Sequence, residues 1–396
     1  MYWLKQTIAV MALNIKTIPQ RLSSSGVAIV GIAGVVVVFV SVLSIASGFE
    51  AAMQGTGARD RALVMRSGAD SELTSGVSST EVEIIKQAPG LKRDGQAGLA
   101  SAELYVILDL PKKSATSTNA NVPMRGIEPA GMTLRPEVAI VDGRMFQFGT
   151  NEVIVGRGAN AQFVNLNVGD TVVTGQNRWQ VVGVFSANGG VSETEVWADA
   201  RTLQGAYRRG NTYQSVLASL ESADSFDTFR DWLTANPQLN VNIRRENEYY
   251  ASQSKTLSAL ITTVGAGISI LMAIGAIFGA ILTMYTAVAT RSREIATLRA
   301  LGFETSSVVV SVLAESMVLG AIGGLIGGAL AYFGFNGYQT STMNFQTFSQ
   351  VAFAFRVTPQ LLVLGLTYAL LMGLVGGIFP AIRAARQPIP VALREL

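Results

Sequence analysis

The sequence contains no cysteine and no histidine among its 396 residues. These absences exclude disulfides, zinc sites built on Cys or His ligands, and every Ser-His-Asp catalytic triad. The motif G-x-x-x-x-G-K-[ST] is also missing, so the sequence offers no P-loop for a nucleotide phosphate. We therefore expect no catalytic residue, no bound cofactor and no metal ion in this chain. Any energy source must lie in another subunit.

Charged residues are scarce, at 14% of the chain, whereas hydrophobic residues make up 49%. Residues 50–255 hold 20 Lys/Arg and 23 Asp/Glu, while the rest of the chain holds only 10 and 4. The basic excess therefore flanks apolar segments, so we expect a membrane-lipid environment and no nucleic-acid partner. This composition is typical of a membrane protein with one large water-facing insert.

Four apolar segments are long enough to cross the hydrocarbon layer, which about 20 helical residues span. We place these transmembrane helices at residues 24–48, 256–290, 306–333 and 357–382. The first segment could instead be a cleaved signal peptide. Its apolar run exceeds the roughly 7 to 15 residues usual in signal peptides, so we expect a retained anchor.

The second span should be part of a much longer helix. No proline occurs between Pro237 and Pro359, so a helix over Glu246–Thr290 can run unbroken. At about 1.5 Å per residue it would be roughly twice as long as the hydrocarbon layer is thick. We expect the excess to project as a stalk; a kink at Gly265 or Gly267 is the alternative.

The short loops set the predicted orientation. The basic residues that flank the spans on one side of the membrane are Lys5, Lys16, Arg21, Arg291, Arg293, Arg299, Arg383, Arg386 and Arg394. The loop at residues 334–356 holds a single basic residue. The positive-inside rule then places both termini and residues 291–304 in the cytoplasm, and the insert and the 334–356 loop outside.

The two termini are predicted to lie at or near the membrane surface. Residues 1–21 place apolar side chains at spacings of three and four, which predicts an amphipathic cytoplasmic helix. An unstructured basic leader is the alternative. Residues 383–396 follow the fourth span and are predicted to form a cytoplasmic tail.

The insert at residues 49–255 is predicted to be an α+β domain between the first two helices. It mixes strand and helix patterns without a regular βαβ alternation, which is compatible with two subdomains. Strand patterns occur at Ser101–Leu110 and Asn151–Gly156, and a hairpin pattern at Thr171–Phe185. Helix patterns occur at Ala198–Arg208 and Asp224–Ala235.

Three further expectations concern this insert. The helix at Asp224–Ala235 carries an aromatic and apolar side that we expect in the core: Phe226, Phe229, Trp232 and Leu233. Residues Lys112–Asn121, rich in Ser, Thr and Asn, predict a mobile loop. The paired acids Glu81/Glu83 and Glu193/Glu195 lie in polar sequence and are predicted to be solvated rather than catalytic.

A short charged segment separates the second and third spans. Within residues 291–304, the run Arg291-Ser-Arg-Glu-Ile-Ala-Thr-Leu-Arg-Ala-Leu-Gly302 predicts an amphipathic helix that ends at its glycine. Such a helix can rest on the bilayer, or it can receive a soluble partner. We favour the second reading, and the candidate coupling residues are Arg291, Arg293, Glu294, Ile295, Leu298, Arg299, Leu301 and Gly302.

One charge falls inside a predicted span. Glu315 lies roughly two turns into the third helix, where an unpaired, lipid-facing carboxylate would cost several kcal/mol. Two explanations remain open: an ion pair with Arg291, Arg293 or Arg299, or snorkelling of the side chain to the headgroups.

Glycines in the last three spans repeat at the small-xxx-small spacing that lets helix backbones approach in lipid. The predicted packing positions are Gly275, Gly279, Gly323, Gly324, Gly327, Gly328, Gly373 and Gly377. The sequence leaves open whether they meet within one chain or across a dimer.

Several of these motifs together resemble a known family. The charged run at residues 291–302, the span with Glu315, Pro380-Ala-Ile-Arg-Ala-Ala-Arg386 and Pro390 to Leu396 resemble the MacB/FtsX-like permeases of ABC transporters. Arg125-Gly-Ile-Glu-Pro, Asp142-Gly-Arg-Met-Phe, Asn151-Glu-Val-Ile-Val-Gly and Val168-Gly-Asp resemble the MacB-type periplasmic core domain. The resemblance covers essentially the whole chain.

The resemblance implies a homodimeric permease of the bacterial inner membrane, with a periplasmic domain of two subdomains on a helical stalk. It implies a dimer of a separate ATPase subunit, which binds ATP and Mg²⁺ and docks under residues 291–302. Its motion would pass to the outside through the stalk. A periplasmic adaptor and an outer-membrane channel are the further partners implied.

The leading prediction is therefore a permease that drives export of a periplasmic substrate. Lipoprotein extraction and control of cell-wall hydrolases are alternatives within the same family. A receptor or scaffold that signals inward without ATP is an alternative from another class. An intramembrane enzyme is disfavoured, because the spans contain no His, no Cys and no acid pair.

Overall fold

The computed structural model describes residues 6–8, 11, 22–95, 97–344 and 346–392. The chain forms two compact units. The helical unit contains the chain up to Ser47, residues Ala259–Tyr338 and the chain from Phe355; the sheet unit contains Gly48–Ser258 and Gln339–Ala354. Most of the predicted helix at residues 1–21, and residues 393–396 of the predicted tail, lie outside the described residues.

The helices comprise four long apolar ones and several short ones. Those long enough to cross a membrane are α1 Leu22–Gln54, α7 Glu246–Ala289, α9 Thr305–Phe335 and α10 Pro359–Arg386. The shorter helices are α2 Ser79–Ile85, α3 Ala130–Thr133, α4 Arg157–Gln162, α5 Ala200–Ala206, α6 Phe226–Ala235, α8 Ser292–Ala300 and α11 Ile389–Ala392. Four membrane-length helices confirm the predicted fold class.

The strands belong to the sheet unit. They are β1 Arg61–Arg66, β2 Val77–Ser78, β3 Arg93–Asp94, β4 Ala97–Gly98, β5 Ala100–Lys112, β6 Ala115–Ile127, β7 Ala139–Gly143, β8 Glu152–Gly156, β9 Thr171–Thr174, β10 Asn177–Ser186, β11 Val196–Asp199, β12 Thr212–Tyr213, β13 Ser215–Ser219, β14 Val241–Arg245, β15 Gln339–Asn344 and β16 Ser349–Ala354.

The predicted long helix is present. α7 runs without a break over 44 residues, because no proline interrupts its hydrogen-bond ladder. Glu246 and Glu248 lie in its first turn, where negative charge complements the positive end of the helix dipole.

Glycines hold three of the long helices close together. A Cβ at Gly323 or Gly327 would lie within about 3 Å of atoms of α1, whereas a Cβ at Gly324 would meet the Ala369 Cβ of α10 at 2.7 Å. On α10, a Cβ at Gly373 would meet the Ser316 carbonyl oxygen at 2.7 Å. α9 therefore contacts α1 with one glycine-bearing side and α10 with another.

The other predicted packing glycines divide into two groups. A Cβ at Gly377 would press on Ser316, and one at Gly328 would touch Leu362 at 3.5 Å. Gly275 and Gly279 differ, because a Cβ at either would have no described atom outside its own turn of helix within 4 Å. Among the described residues, no other element packs against these two glycines of α7.

Ten strands of the sheet unit form one hydrogen-bonded path. Its order is β14-β1-β13-β5-β6-β11-β8-β10-β7, with β9 added beside β10. Three hydrophobic cores lie along it, and one of them surrounds Phe185 and Trp197. The other two have longer helices packed on them. One surrounds Phe229 and Ile85, where α2 and α6 pack, and the other surrounds Trp179 and Phe163, where α4 and α5 pack. The mixed topology confirms an α+β domain.

The prediction of a mobile loop at Lys112–Asn121 is wrong. Only the turn between β5 and β6 breaks the two strands, and Asn121 pairs with Asp109. The Asn119 amide donates a 2.8 Å hydrogen bond to the Asp109 carboxylate. A strand made of polar residues is stable here because the ladder uses backbone groups.

Two helix predictions need smaller corrections. Within Ala198–Arg208, the first residues belong to β11, and the helix begins only at Ala200, capped by the Asp199 side chain. In α6, Phe226, Phe229 and Leu233 are buried as predicted, but Trp232 is 37% exposed. Helical spacing placed Trp232 at the margin of the apolar side.

Residues 334–356, predicted as a short loop, contain the hairpin β15–β16, which belongs to the sheet unit. Asn344 donates to the Gln253 side chain at 2.7 Å, and the Ala352 N–H donates to the Thr194 hydroxyl at 2.9 Å. The Asn121 amide donates to the Phe348 carbonyl oxygen at 2.7 Å. The sheet unit is therefore built from two separate stretches of sequence.

Candidate coupling site and buried charge cluster

The charged segment between the second and third spans folds as the short helix α8. Its end is a Schellman motif: the Gly302 N–H donates to the Arg299 carbonyl at 3.1 Å, and the Phe303 N–H donates to the Leu298 carbonyl at 3.1 Å. Gly302 has φ +93°, a backbone conformation that glycine adopts without strain. The helix stops where the sequence predicts.

The open question about Glu315 is answered by an ion pair. Nη1 of Arg291 lies 3.2 Å from Oε2 of Glu315, and both side chains are buried, at 7% and 5% exposure. Arg291 Nε also lies 3.2 Å from the Glu294 carboxylate, which is exposed. Arg291 therefore joins the start of α8 to the body of α9, and Glu315 does not snorkel.

The predicted apolar side of α8 is not one contact surface. Ile295 and Leu298 are half-buried, whereas Leu301 is 72% exposed. Arg293 and Glu294 are exposed as well. The structure thus separates the candidate residues into a packed set and an outward set.

Arg299 fixes the other end of α8. Its Nη1 donates to the Gln387 carbonyl at 2.6 Å, just after the last turn of α10. On α10 itself, the Arg383 guanidinium lies 5.3 Å from the centre of the Tyr285 ring of α7, a cation–π contact. The two ends of α8 are therefore tied to α9 and to the C-terminal end of α10.

The sheet unit contains a charge cluster that sequence reasoning missed. Arg125 on β6 is 2% exposed and contacts three buried carboxylates. Its Nη1 lies 2.7 Å from Glu72 and 2.8 Å from Glu103, and its Nε lies 2.8 Å from Glu195. Arg135 binds the same Glu103 carboxylate at 2.6 Å.

Neutral donors complete the hydrogen bonding of this cluster. The Ser215 hydroxyl donates to Glu72 at 2.7 Å, and the Trp197 indole N–H donates to Glu195 at 2.6 Å. The Arg125 guanidinium also lies 5.1 Å from the centre of the Tyr105 ring. A buried charge is tolerated when its partners satisfy it in this way.

The electrostatics follow from burial and from these partners. Burial alone would raise the pKa of Glu103, but Arg135 and Arg125 outweigh it, so the pKa lies below its usual value. Glu246 behaves differently: burial raises its pKa even though Arg61 lies 2.5 Å away. Arg61 also binds Glu137 at 2.7 Å.

The prediction that Glu193 and Glu195 are solvated is wrong. Glu195 is 1% exposed and Glu193 is 6% exposed. Glu193 accepts hydrogen bonds from the N–H groups of Ala187 and Gly189 and so holds their loop together. Glu81 forms a capping box with Ser78, and Glu83 is exposed. The sequence singles out two members of this cluster, Arg125 in a family motif and Glu195 in a pair of acids, but nothing near either residue indicates that they meet.

In both regions the buried acidic side chains bind arginine. In the Arg125 cluster, guanidinium groups occupy the space between the carboxylates, so the acids bind arginine. Within the described part of the chain, no group of three or more acidic side chains is arranged to hold a metal ion. Both arrangements are suited to holding elements in place.

Two family models match the chain. The one described as MacB-like periplasmic core domain matches residues 25–236, more than half of the chain. The one described as FtsX-like permease C-terminal matches residues 266–389, which include α8 and Glu315.

Individual relatives agree with these matches. The macrolide export ATP-binding/permease protein MacB of Azoarcus sp. (strain BH72) is 24% identical over 364 residues, covering 84% of this chain and 54% of that protein. The uncharacterized ABC transporter permease YknZ of Bacillus subtilis (strain 168) is 28% identical over 193 residues, covering 46% of this chain and 45% of that protein. The chain thus spans about half the length of these curated relatives.

Solved structures also have partial similarity to the chain. The periplasmic region of MacB from Actinobacillus actinomycetemcomitans has 14% identity and a TM-score of 0.37, covering 50% of this chain and 92% of that one. That score is too low for a detailed comparison.

The Arg291–Glu315 pair predicts a specific loss. Glu315→Gln removes the charge that balances buried Arg291, which should lower the free energy of unfolding by about 3–5 kcal/mol. Thermal unfolding of the full chain in detergent measures this. Glu294→Gln is the matched control: it removes an exposed partner of the same arginine and should cost less than about 1 kcal/mol. Equal effects would show that the buried pair does not hold α8.

The Arg125 cluster predicts a similar contrast in the sheet unit. Arg125→Met leaves buried carboxylates unbalanced and should lower the free energy of unfolding by about 3–5 kcal/mol. Tryptophan fluorescence during denaturation measures this loss. Arg144→Met, which removes an exposed arginine paired with Glu152, should cost under about 1 kcal/mol.

Acidification should act on the same cluster. Because the folded pKa of Glu103 lies below its usual value, the contribution of Glu103 to the free energy of unfolding is fully present above its unfolded pKa of about 4.3. That contribution is lost as the pH falls through the folded pKa.

An Arg125→Met chain as stable as the parent would contradict a structural role for the cluster.

Proposed function

The chain belongs to the MacB- and FtsX-like family of ABC transporter permeases, and we propose that it relays the ATP-driven motion of an ABC ATPase subunit to its sheet unit. The ATPase subunit would apply its force to α8. One observation carries this proposal: the buried Arg291–Glu315 ion pair fixes α8 to α9, while the outward side of α8 remains exposed. A force applied to α8 would reach the spans without first deforming the helix.

The outward side of α8 has the chemistry of a docking surface. It presents Arg293 and Glu294 as charges of both signs, and Leu301 as an exposed apolar group. An apolar centre with a polar rim is typical of protein interfaces. ATP and Mg²⁺ would bind to the ATPase subunit, because this sequence has no P-loop.

The connections between the two units supply routes for the relay. The chain passes between them within α1, within α7, and on either side of the hairpin β15–β16. α7 is continuous from Glu246 to Ala289, and a helix transmits displacement along its axis because its backbone hydrogen bonds are intact. We propose α7 as the main lever.

The charge distribution supports an orientation in the inner membrane. Basic residues flank the spans on the side of α8, so both termini and α8 would be cytoplasmic and the sheet unit periplasmic. A permease in this orientation would act on a periplasmic substrate and drive its export together with an adaptor and an outer-membrane channel.

Two glycines support a homodimer. Gly275 and Gly279 share the spacing of the packing glycines, yet no described part of this chain fills the space beside them. A second copy of α7 would fit there, because small residues let two helices approach closely in lipid.

The docking surface can be tested directly. Leu301→Asp combined with Arg293→Glu should reduce retention of the ATPase during purification about tenfold or more, since it replaces the exposed apolar group by a charge and reverses a second charge on the docking surface. Folding should be unaffected because both side chains are exposed. Val168→Asp, an exposed apolar position in the sheet unit, is the matched control. An ATPase that stays equally bound and equally stimulated would rule out α8 as the docking site.

The dimer proposal predicts a different outcome at two kinds of glycine. Gly275→Leu should weaken self-association in detergent, measured by cross-linking and mass photometry, by blocking close approach of two α7 helices. Gly34→Leu is the control, because Gly34 is also exposed on a long helix with no described atom near its Cβ position. Equal dimerisation of both variants would place the interface elsewhere.

A further inference from the structure

The edge of strand β5 that faces away from β6 is only partly paired. β5 pairs with β6 from Leu104 to Lys112, but with β13 only from Ala100 to Glu103. In an antiparallel strand the N–H and C=O of one residue face the same side, and successive residues alternate. The residues that face away from β6 can therefore be identified from the contacts of their neighbours.

Contacts at both ends show that the odd-numbered residues face away from β6. The Glu103 carbonyl accepts from the Gln214 N–H at 2.9 Å, and the Tyr105 N–H donates to the Gln214 side chain at 3.1 Å. Further along, the Pro111 carbonyl accepts from the Val164 N–H at 3.0 Å. Ile107 lies opposite Pro123, which has no N–H to donate, as this alternation requires.

Ile107 and Asp109 lie between these closed ends. Each carries one N–H and one C=O toward the outer edge, and no described group pairs with them there. The same two residues line a groove of about 810 Å³. Its other wall is the turn between β9 and β10 and the C-terminal end of α5, including Gly175, Tyr207 and Arg208.

We propose that this groove binds an extended segment of a partner protein, which adds to β5 as a short parallel or antiparallel strand. The N–H and C=O groups of Ile107 and Asp109 match the main chain of an extended peptide, which can add a strand to an exposed sheet edge through such groups. Tyr105 and Pro111 are six residues apart, so the gap is about 20 Å long, and the five residues between them can face a strand of about five residues.

The closed ends explain why such binding would be limited to one segment. An open sheet edge is a template for uncontrolled pairing, and proteins usually block it. Here the Gln214 side chain ends the open edge on one side and Val164 ends it on the other. The groove would admit one short strand and stop a longer sheet from growing.

The test uses the full chain in detergent and a labelled probe peptide, acetyl-Thr-Val-Thr-Val-Thr-amide, with binding followed by fluorescence anisotropy. The same peptide N-methylated at every residue cannot donate main-chain hydrogen bonds and should lose binding at least tenfold. If the two peptides bind equally, or the unmethylated peptide does not bind at millimolar concentration, the proposal is overturned.

A pair of variants at one position locates the site. Asp109→Pro removes the N–H that faces the groove and leaves the ladder to β6 intact, because proline is tolerated where a strand N–H faces away from its partner. The affinity for the peptide should fall about fivefold, which is the change expected from the loss of one hydrogen bond. Asp109→Ala removes only the carboxylate and should bind like the parent chain.

Equal binding by the Asp109→Pro chain would overturn the assignment to this edge. If that variant does not fold, the two peptides still decide on the unmutated chain. The result is independent of the ATPase, so failure here leaves the relay proposal standing, and failure of the relay leaves this groove unaffected.

Discussion

A charge removed from water has to be balanced by another charge and by hydrogen bonds, and both units of this protein depend on that constraint. In the helical unit it fixes Arg291 against Glu315. In the sheet unit it gathers Glu72, Glu103 and Glu195 around Arg125. Breaking either set of ion pairs leaves an unpaired buried charge. The elements that carry these residues are therefore held in one relative position more strictly than apolar packing alone would require.

The local features of the fold were largely predictable from the sequence. Helix length, span number and the unbroken α7 followed from hydropathy and from the absence of proline, which are local properties. The site of α8 and the stop at Gly302 were local as well. Glycine spacing identified the packing side of α9, but it could not distinguish Gly323, which meets α1, from Gly275, which meets nothing in the described chain.

What the sequence could not show depends on residues far apart in the chain. Glu195 is separated from Arg125 by 70 positions, and nothing near Glu195 distinguishes it from a surface acid. The polar first half of β6 lies in the stretch Lys112–Asn121, whose composition predicts a loop, and it forms a strand because β5 offers it a backbone ladder. Glu315 was the intermediate case: its cost in a span demanded a partner, and three arginines were available.

The hairpin β15–β16 has a consequence for how the protein is made. It completes the sheet unit but follows Ser258 by about 80 residues, which include two long helices. At about 5–20 residues per second, synthesis needs roughly 4 to 16 s to reach it. During that interval the earlier stretch exists with the Gln253 amide and the Thr194 hydroxyl lacking their hairpin partners. The sheet unit is therefore complete only after α9 has been synthesised. Membrane insertion thus becomes a step in the folding of the sheet.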